Sequence, residues 1–153
     1  MDEQRLNVLV VEENQSCADA IREAMNRLSF SNDSFFAQDT PEAIQYLEKR
    51  TSTATSPLPD LIMLHLAPDK VDSWNFLSTV KQDSAWSTVP VLALSDTEDR
   101  LFIHKAYQAG VTSFLAHPHN TEEWLPLLES LRSYWGSVVR LPKKNVRWLT
   151  GNH

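Results

Sequence analysis

Glycine is nearly absent. Three glycines in 153 residues exclude a glycine-rich phosphate loop, which needs several close together so that backbone N–H groups can surround the anion. The single cysteine, Cys17, excludes an intrachain disulfide and suits a reducing cytosol. It falls on a helical pattern, where core packing is its expected role. No apolar run approaches the length that crosses a bilayer, and Met1-Asp2-Glu3-Gln4-Arg5 leads straight into a strand without a signal-peptide pattern. No membrane contact and a cytoplasmic location are therefore expected. Positive charge is also scarce: 14 Lys and Arg face 20 Asp and Glu, for a formal net charge of −6. Nucleic acid is not an expected partner, and the short, interrupted basic cluster from Arg140 to Arg147 reads as a solvated tail.

What is present suits one globular domain with a single substantial core, with 42% hydrophobic and 22% charged residues. Short apolar runs at Leu6–Val11, Leu61–Leu64, Val91–Leu94 and Ser113–Ala116 read as strands, with a weaker one at Ser34–Ala37. Helical patterns lie between them. Asn14 offers an N-cap to a helix carrying Cys17, Ala20, Ile21, Ala24, Met25 and Leu28. Thr40 caps a second helix ahead of Pro41, with Ala43, Ile44 and Leu47 inward. Thr51–Pro59 reads as an exposed loop. Val71–Val80 carries Trp74, Leu77 and Val80 on one side. Asp96 or Thr97 caps a fourth helix that stops at Gly110. Asn120 or Thr121 caps a fifth, carrying Trp124, Leu128, Leu131 and Trp135, with Pro126 near its first turn. No internal repeat appears. Five β-α units with short apolar strands predict an α/β fold, a parallel sheet covered on both faces.

In such a sheet the carboxyl ends of the strands line the ligand crevice. Four apolar strands end in polar residues: Glu12 and Glu13, His65, Ser95, and His117. These five are expected to converge. The spacing also leaves bland readings open. Glu12 and Glu13 can be solvated carboxylates, His65 a hydrogen-bonded pocket filler, His117 a loop residue held by the turn at Pro118, and Ser95 a helix-entry hydroxyl. His104 and His119 read as surface residues, and the tryptophans as mostly core. Trp135 and Trp148 stand apart because they lie late in the chain, where a partner can cover them.

The chain resembles a response-regulator receiver domain of two-component signalling, over roughly residues 6 to 135. The resemblance is carried by Glu12-Glu13 after the first strand, Asp60-Leu61-Ile62-Met63-Leu64 at the third and Ser95 after the fourth. Gln108-Ala109-Gly110-Val111 precedes the fifth strand, and Ser113-Phe114-Leu115-Ala116-His117-Pro118 covers it. The ending Tyr134-Trp135-Gly136-Ser137-Val138-Val139-Arg140-Leu141-Pro142 is similar to small stand-alone receivers that partner bacterial phytochrome kinases. The resemblance implies a flavodoxin-like, doubly wound, five-stranded (βα)5 fold over residues 1–135. It also implies a C-terminal extension, 136–153, that contributes to a dimer interface. In receivers the third strand ends in the aspartate that accepts phosphate, the fifth in Lys-Pro, and the peptide before that proline is cis. Here His65 and His117 stand at the two chemical positions.

Phosphoryl transfer to a receiver needs a carboxylate nucleophile and a magnesium ion held by hard oxygen ligands. Imidazole replaces neither, and histidine is not a fixed cation. The expectation is a degenerate phosphoacceptor pocket of Glu12, Glu13, His65, Ser95, His117 and Pro118 in a non-enzymatic pseudo-receiver that requires no cofactor. Partners would be a sensor histidine kinase, including one of phytochrome type, another response regulator, or a second copy in a homodimer. The partner surface would draw on Tyr107, Phe114, Trp124, Trp135, Val138 and Val139. The alternatives are a transition metal held by Glu12, Glu13, His65 and His117, a pH response of the two histidines, or phosphorylation in a non-standard way.

Overall fold

The computed structural model describes residues 6–30, 33–53 and 57–135. Five strands alternate with five helices: β1 (Val8–Val11), α1 (Gln15–Arg27), β2 (Phe35–Ala37), α2 (Thr40–Ser52), β3 (Leu61–His65), α3 (Val71–Gln82), β4 (Val91–Ser95), α4 (Arg100–Gln108), β5 (Ser113–Ala116) and α5 (Thr121–Ser133). All pairings are parallel, in the order β2-β1-β3-β4-β5. The expected doubly wound sheet is the observed one. The 136–153 extension, with Val138, Val139 and Trp148, lies outside the described residues.

The period of two along each strand divides the core. Leu9, Val11, Ile62, Leu64, Val91 and Ala93 pack with Ala43, Leu47, Phe76, Leu77, Val80, Phe102 and Ala106, under α2, α3 and α4. Val8, Val10, Leu61, Met63, Leu92 and Leu94 pack with Ile21, Ala24, Met25, Trp124, Leu128 and Leu131, under α1 and α5. The central strands β1, β3 and β4 are buried on both faces, which is why their sequences run apolar without alternation.

Several boundaries differ from the sequence reading, each for a local reason. Asp39, not Thr40, caps α2. Its extended backbone lets its carboxylate accept the Glu42 N–H at 2.8 Å, while Pro41 sits in the first turn, where no intrahelical donor is needed. The helix then runs to Ser52, into the stretch read as loop. Asp99, not Asp96 or Thr97, caps α4. The Ser95 hydroxyl accepts the Thr97 N–H at 3.4 Å and the Thr97 hydroxyl accepts the Asp99 N–H at 3.2 Å, so side-chain turns hold residues 96–98 out of the helix. Cys17 is only half-buried, and Ala18 takes the inward position. In α3, Trp74 is half-buried while Ser73 and Phe76 join Leu77 and Val80 inside. The Asn14 and Asn120 caps stand as expected, accepting the Cys17 and Glu123 N–H groups.

Candidate functional site

Strand parity decides which strand-end residues meet. Glu12 continues the series Val8, Val10; His65 continues Leu61, Met63; His117 continues Ser113, Leu115. Glu12 follows β1 and His117 follows β5, yet the ladder persists through both: the Glu12 N–H donates to Ala37 and the His117 N–H to Ser95. All three side chains therefore fall on the α1/α5 side. Ser95 continues Val91, Ala93 and belongs to the other side.

The three form a compact cluster. His65 Nδ1 lies 3.0 Å from Glu12 Oε2, and His117 Nε2 lies 3.1 Å from Glu12 Oε1. One carboxylate thus meets two imidazoles, whose ring centroids are 4.4 Å apart. The side chains of Glu12 and His117 are each 3% exposed and that of His65 is 20% exposed. The Asn14 N–H donates to Glu12 Oε2 at 3.2 Å, and His117 Nδ1 stands 2.6 Å from the Pro118 carbonyl oxygen. Trp124, fully buried on α5, sets its indole edge-on to the His117 ring at 5.6 Å.

Burial by itself would raise the Glu12 carboxyl. Hydrogen bonds from His117 and His65, the charge of His65 and the Asn14 N–H outweigh it and hold the group at about 2. Burial likewise works to lower His117, but the Glu12 carboxylate, with the Pro118 carbonyl, raises it above its ordinary value. A carbonyl only accepts, so His117 Nδ1 carries a proton. A second proton, on Nε2, makes the ring an imidazolium paired with Glu12.

The rest of the expected pocket is arranged differently. Glu13 points out of the cluster, with Oε1 accepting from Lys70 Nζ at 3.0 Å, because it follows Glu12 by one residue at the exit from the strand. It is therefore not among the clustered donors. Ser95 is buried but serves the turn into α4, and with His117 and Phe114 it lines a shallow depression of about 290 Å³ beside the cluster. The His117–Pro118 peptide is trans, not the cis form the resemblance implied, and trans is the intrinsically favoured isomer. His117 follows β5 and is held at the turn by the Pro118 carbonyl, and it is buried as well. Of the expected partner surface, Trp124 and Trp135 are core residues, packed with Leu128 and Leu131, and present no contact face. Tyr107, 48% exposed, and half-buried Phe114 remain, linked by the Phe114 N–H donating to the Tyr107 hydroxyl at 3.0 Å. Exposed Leu101 lies on the same helix as Tyr107.

Three contacts were not expected from the sequence: the cap residue Asn14 also donates to Glu12, Trp124 of the α5 core supports His117, and Lys70 draws Glu13 away. The first two carried a signal. An N-cap one turn from a strand end has its own N–H free, and parity puts the α5 core under His117.

Among the described residues, Glu12, His65 and His117 are one cluster of donors spaced for a metal ion, with ligand atoms within 4.8 Å of one another. The magnesium ion that the resemblance implies does not fit it. Magnesium demands near-octahedral oxygen coordination, and the cluster offers one carboxylate flanked by two nitrogen donors. Among the described residues, no helix is long and apolar enough to cross a membrane.

Comparison with known proteins agrees with this architecture. The family model described as response regulator receiver domain matches residues 8–129. The probable methanogenesis regulatory protein FilR2 of Methanothrix harundinacea is 30% identical over 135 residues, covering 88% of this chain and 86% of that protein. Response regulator Rcp1 of Synechocystis is 23% identical over 135 residues, covering 88% of this chain and 92% of its own. The solved structure of the phosphorylated cyanobacterial phytochrome response regulator RcpA superposes with a TM-score of 0.76 at 25% identity, covering 91% of this chain and 99% of that one.

Proposed function

Because the chain belongs to the response regulator receiver domain family, matched over residues 8–129, we propose that it is a receiver that signals by protein–protein contact without aspartyl phosphorylation. The carrying observation is the engagement of Glu12. Where a receiver presents its phosphoacceptor, β3 ends in His65, and the buried carboxylate beside it already meets an imidazole at each oxygen. An acyl phosphate forms on a carboxylate that is free to attack. Glu12 is held instead by two partners, in a pocket without a lysine at the end of β5. In this reading the chain is a signalling module rather than an enzyme, and its pocket needs no magnesium.

The partner would be a sensor histidine kinase, another response regulator or a second copy of the chain. Likeness to RcpA, described as a phytochrome response regulator, favours a phytochrome-type kinase. Exposed Tyr107 and Leu101 on α4, with half-buried Phe114 on β5, supply the apolar part of that surface. The degenerate pocket comprises Glu12, His65 and His117 at its centre, with Glu13, Ser95 and Pro118 around it. Incubation with acetyl phosphate and magnesium, followed by intact mass measurement, should leave the chain unmodified. A stoichiometric phosphoryl adduct, whether on His65 or on a carboxylate, would overturn the reading.

A further inference from the structure

We propose that Glu12, His65 and His117 form a binding site for one divalent transition ion of the zinc type. The donor set is two imidazole nitrogens and one carboxylate. That combination suits zinc and its neighbours, which take nitrogen and oxygen ligands together, and disfavours magnesium. The three residues come from the ends of β1, β3 and β5, so the site is built by the sheet and not by one mobile loop.

The hydrogen-bond directions suit this use. The Pro118 carbonyl fixes one proton of His117 on Nδ1, so in the neutral ring the lone pair of Nε2 is aimed at Glu12 Oε1, 3.1 Å away. Two acceptors face each other. Only a proton or a cation between them makes the arrangement attractive. A zinc ion bound there takes the place of the Nε2 proton, which leaves to solvent. His65 presents Nδ1 to the same carboxylate from the other side. Metal-binding side chains are ordinarily oriented by outer hydrogen bonds. Two of these three already have them: His117 from the Pro118 carbonyl and Glu12 from the Asn14 N–H.

The dimensions are close to those required. Tetrahedral zinc, with bonds of about 2.0–2.1 Å, spaces its ligands about 3.3 Å apart. The two nitrogen–oxygen separations are 3.0 and 3.1 Å, and all three donor atoms lie within 4.8 Å of one another. The two short separations are to different Glu12 oxygens, so binding would draw the three donors, now up to 4.8 Å apart, closer together. His65 is the partly exposed member, which gives the ion a way in and leaves the fourth position for water. Metal binding and the absence of phosphorylation are separate properties of the pocket, and the phosphodonor assay tests only the second.

The test uses the full chain without an affinity tag, stripped with a chelator and titrated with zinc chloride by calorimetry. Cobalt(II) then serves as a spectroscopic probe, reporting low-coordinate ligation by its absorption and quenching the fluorescence of Trp124 beside His117. One zinc per chain is expected, undisplaced by millimolar magnesium. His65→Gln and His117→Gln should each weaken it at least about 100-fold, the upper end of what losing even an outer partner costs. His119→Gln, which alters an exposed histidine paired with Asp96, should leave it unchanged. If His117→Gln fails to fold by circular dichroism, His65→Gln decides. Absence of stoichiometric zinc, binding that survives His65→Gln, or binding lost with His119→Gln alone would overturn the proposal.

Discussion

Glu12 is a charge taken out of water and kept ionised by two imidazoles. Its folded-state pKa, about 2, lies below its ordinary 4.5, so its stabilising contribution is present above 4.5 and is lost as pH falls toward 2. His117 is raised above its ordinary 6.5, so its contribution is present below 6.5 and is lost as pH rises through the raised value. Metal-free protein should therefore be most stable between 4.5 and 6.5, with the acid limb costing on the order of 3 kcal/mol. Urea unfolding across a pH series measures this, and a flat alkaline limb would mean that folded His117 is neutral. The polar strand ends were legible in the sequence. That Glu12 turns in and Glu13 turns out was legible only through parity, and only once the end of β1 was fixed. The Lys70–Glu13 contact spans the β1 and β3 connections and left no local mark.

At the scale of the element, α5 carries an internal contradiction. Its N-terminus is well made, with Asn120 capping Glu123 and acidic residues in the first turn. Pro126 then falls inside the helix, where it lacks the N–H that would bond back to the Glu122 carbonyl and crowds that turn. The side chain is exposed, so no core contact compensates. Pro126→Ala should stabilise the domain by about 1–3 kcal/mol, since an interior proline costs about 3 kcal/mol relative to alanine. Chemical denaturation checks this; a loss of stability would show that the proline is needed to seat Trp124 under His117. Helix existence was readable from periodicity throughout. Caps were less so, because Asp39 and Asp99 compete with neighbouring Thr40, Asp96 and Thr97, and the winner is set by where the preceding strand releases the chain.

At the scale of the molecule, the two faces of the sheet carry different features. The α1/α5 side holds the Glu12 cluster over Trp124, and the exposed apolar residues Leu101 and Tyr107 lie on α4. Trp135 is buried with Leu128 and Leu131, so the domain needs residues up to 135. Truncation after Trp135 should leave a cooperatively folding domain. If the 136–153 extension provides the dimer contacts, that truncation should also lower the mass in solution from two chains to one, as read by light scattering on a sizing column. An unchanged mass would show that the extension is not a dimer element.

The sequence by itself determined the alternation of strands and helices, the parallel sheet and the imidazoles at the ends of β3 and β5, because apolar runs, caps and strand-end residues are local patterns. Only the tertiary structure decided which of the polar strand ends meet. Glu12, His65 and His117 lie 105 residues apart at the extremes, and they share one face because β1, β3 and β5 run parallel in one sheet with the parity that the core demands. Ser95 and Glu13 obey the same physics and end elsewhere.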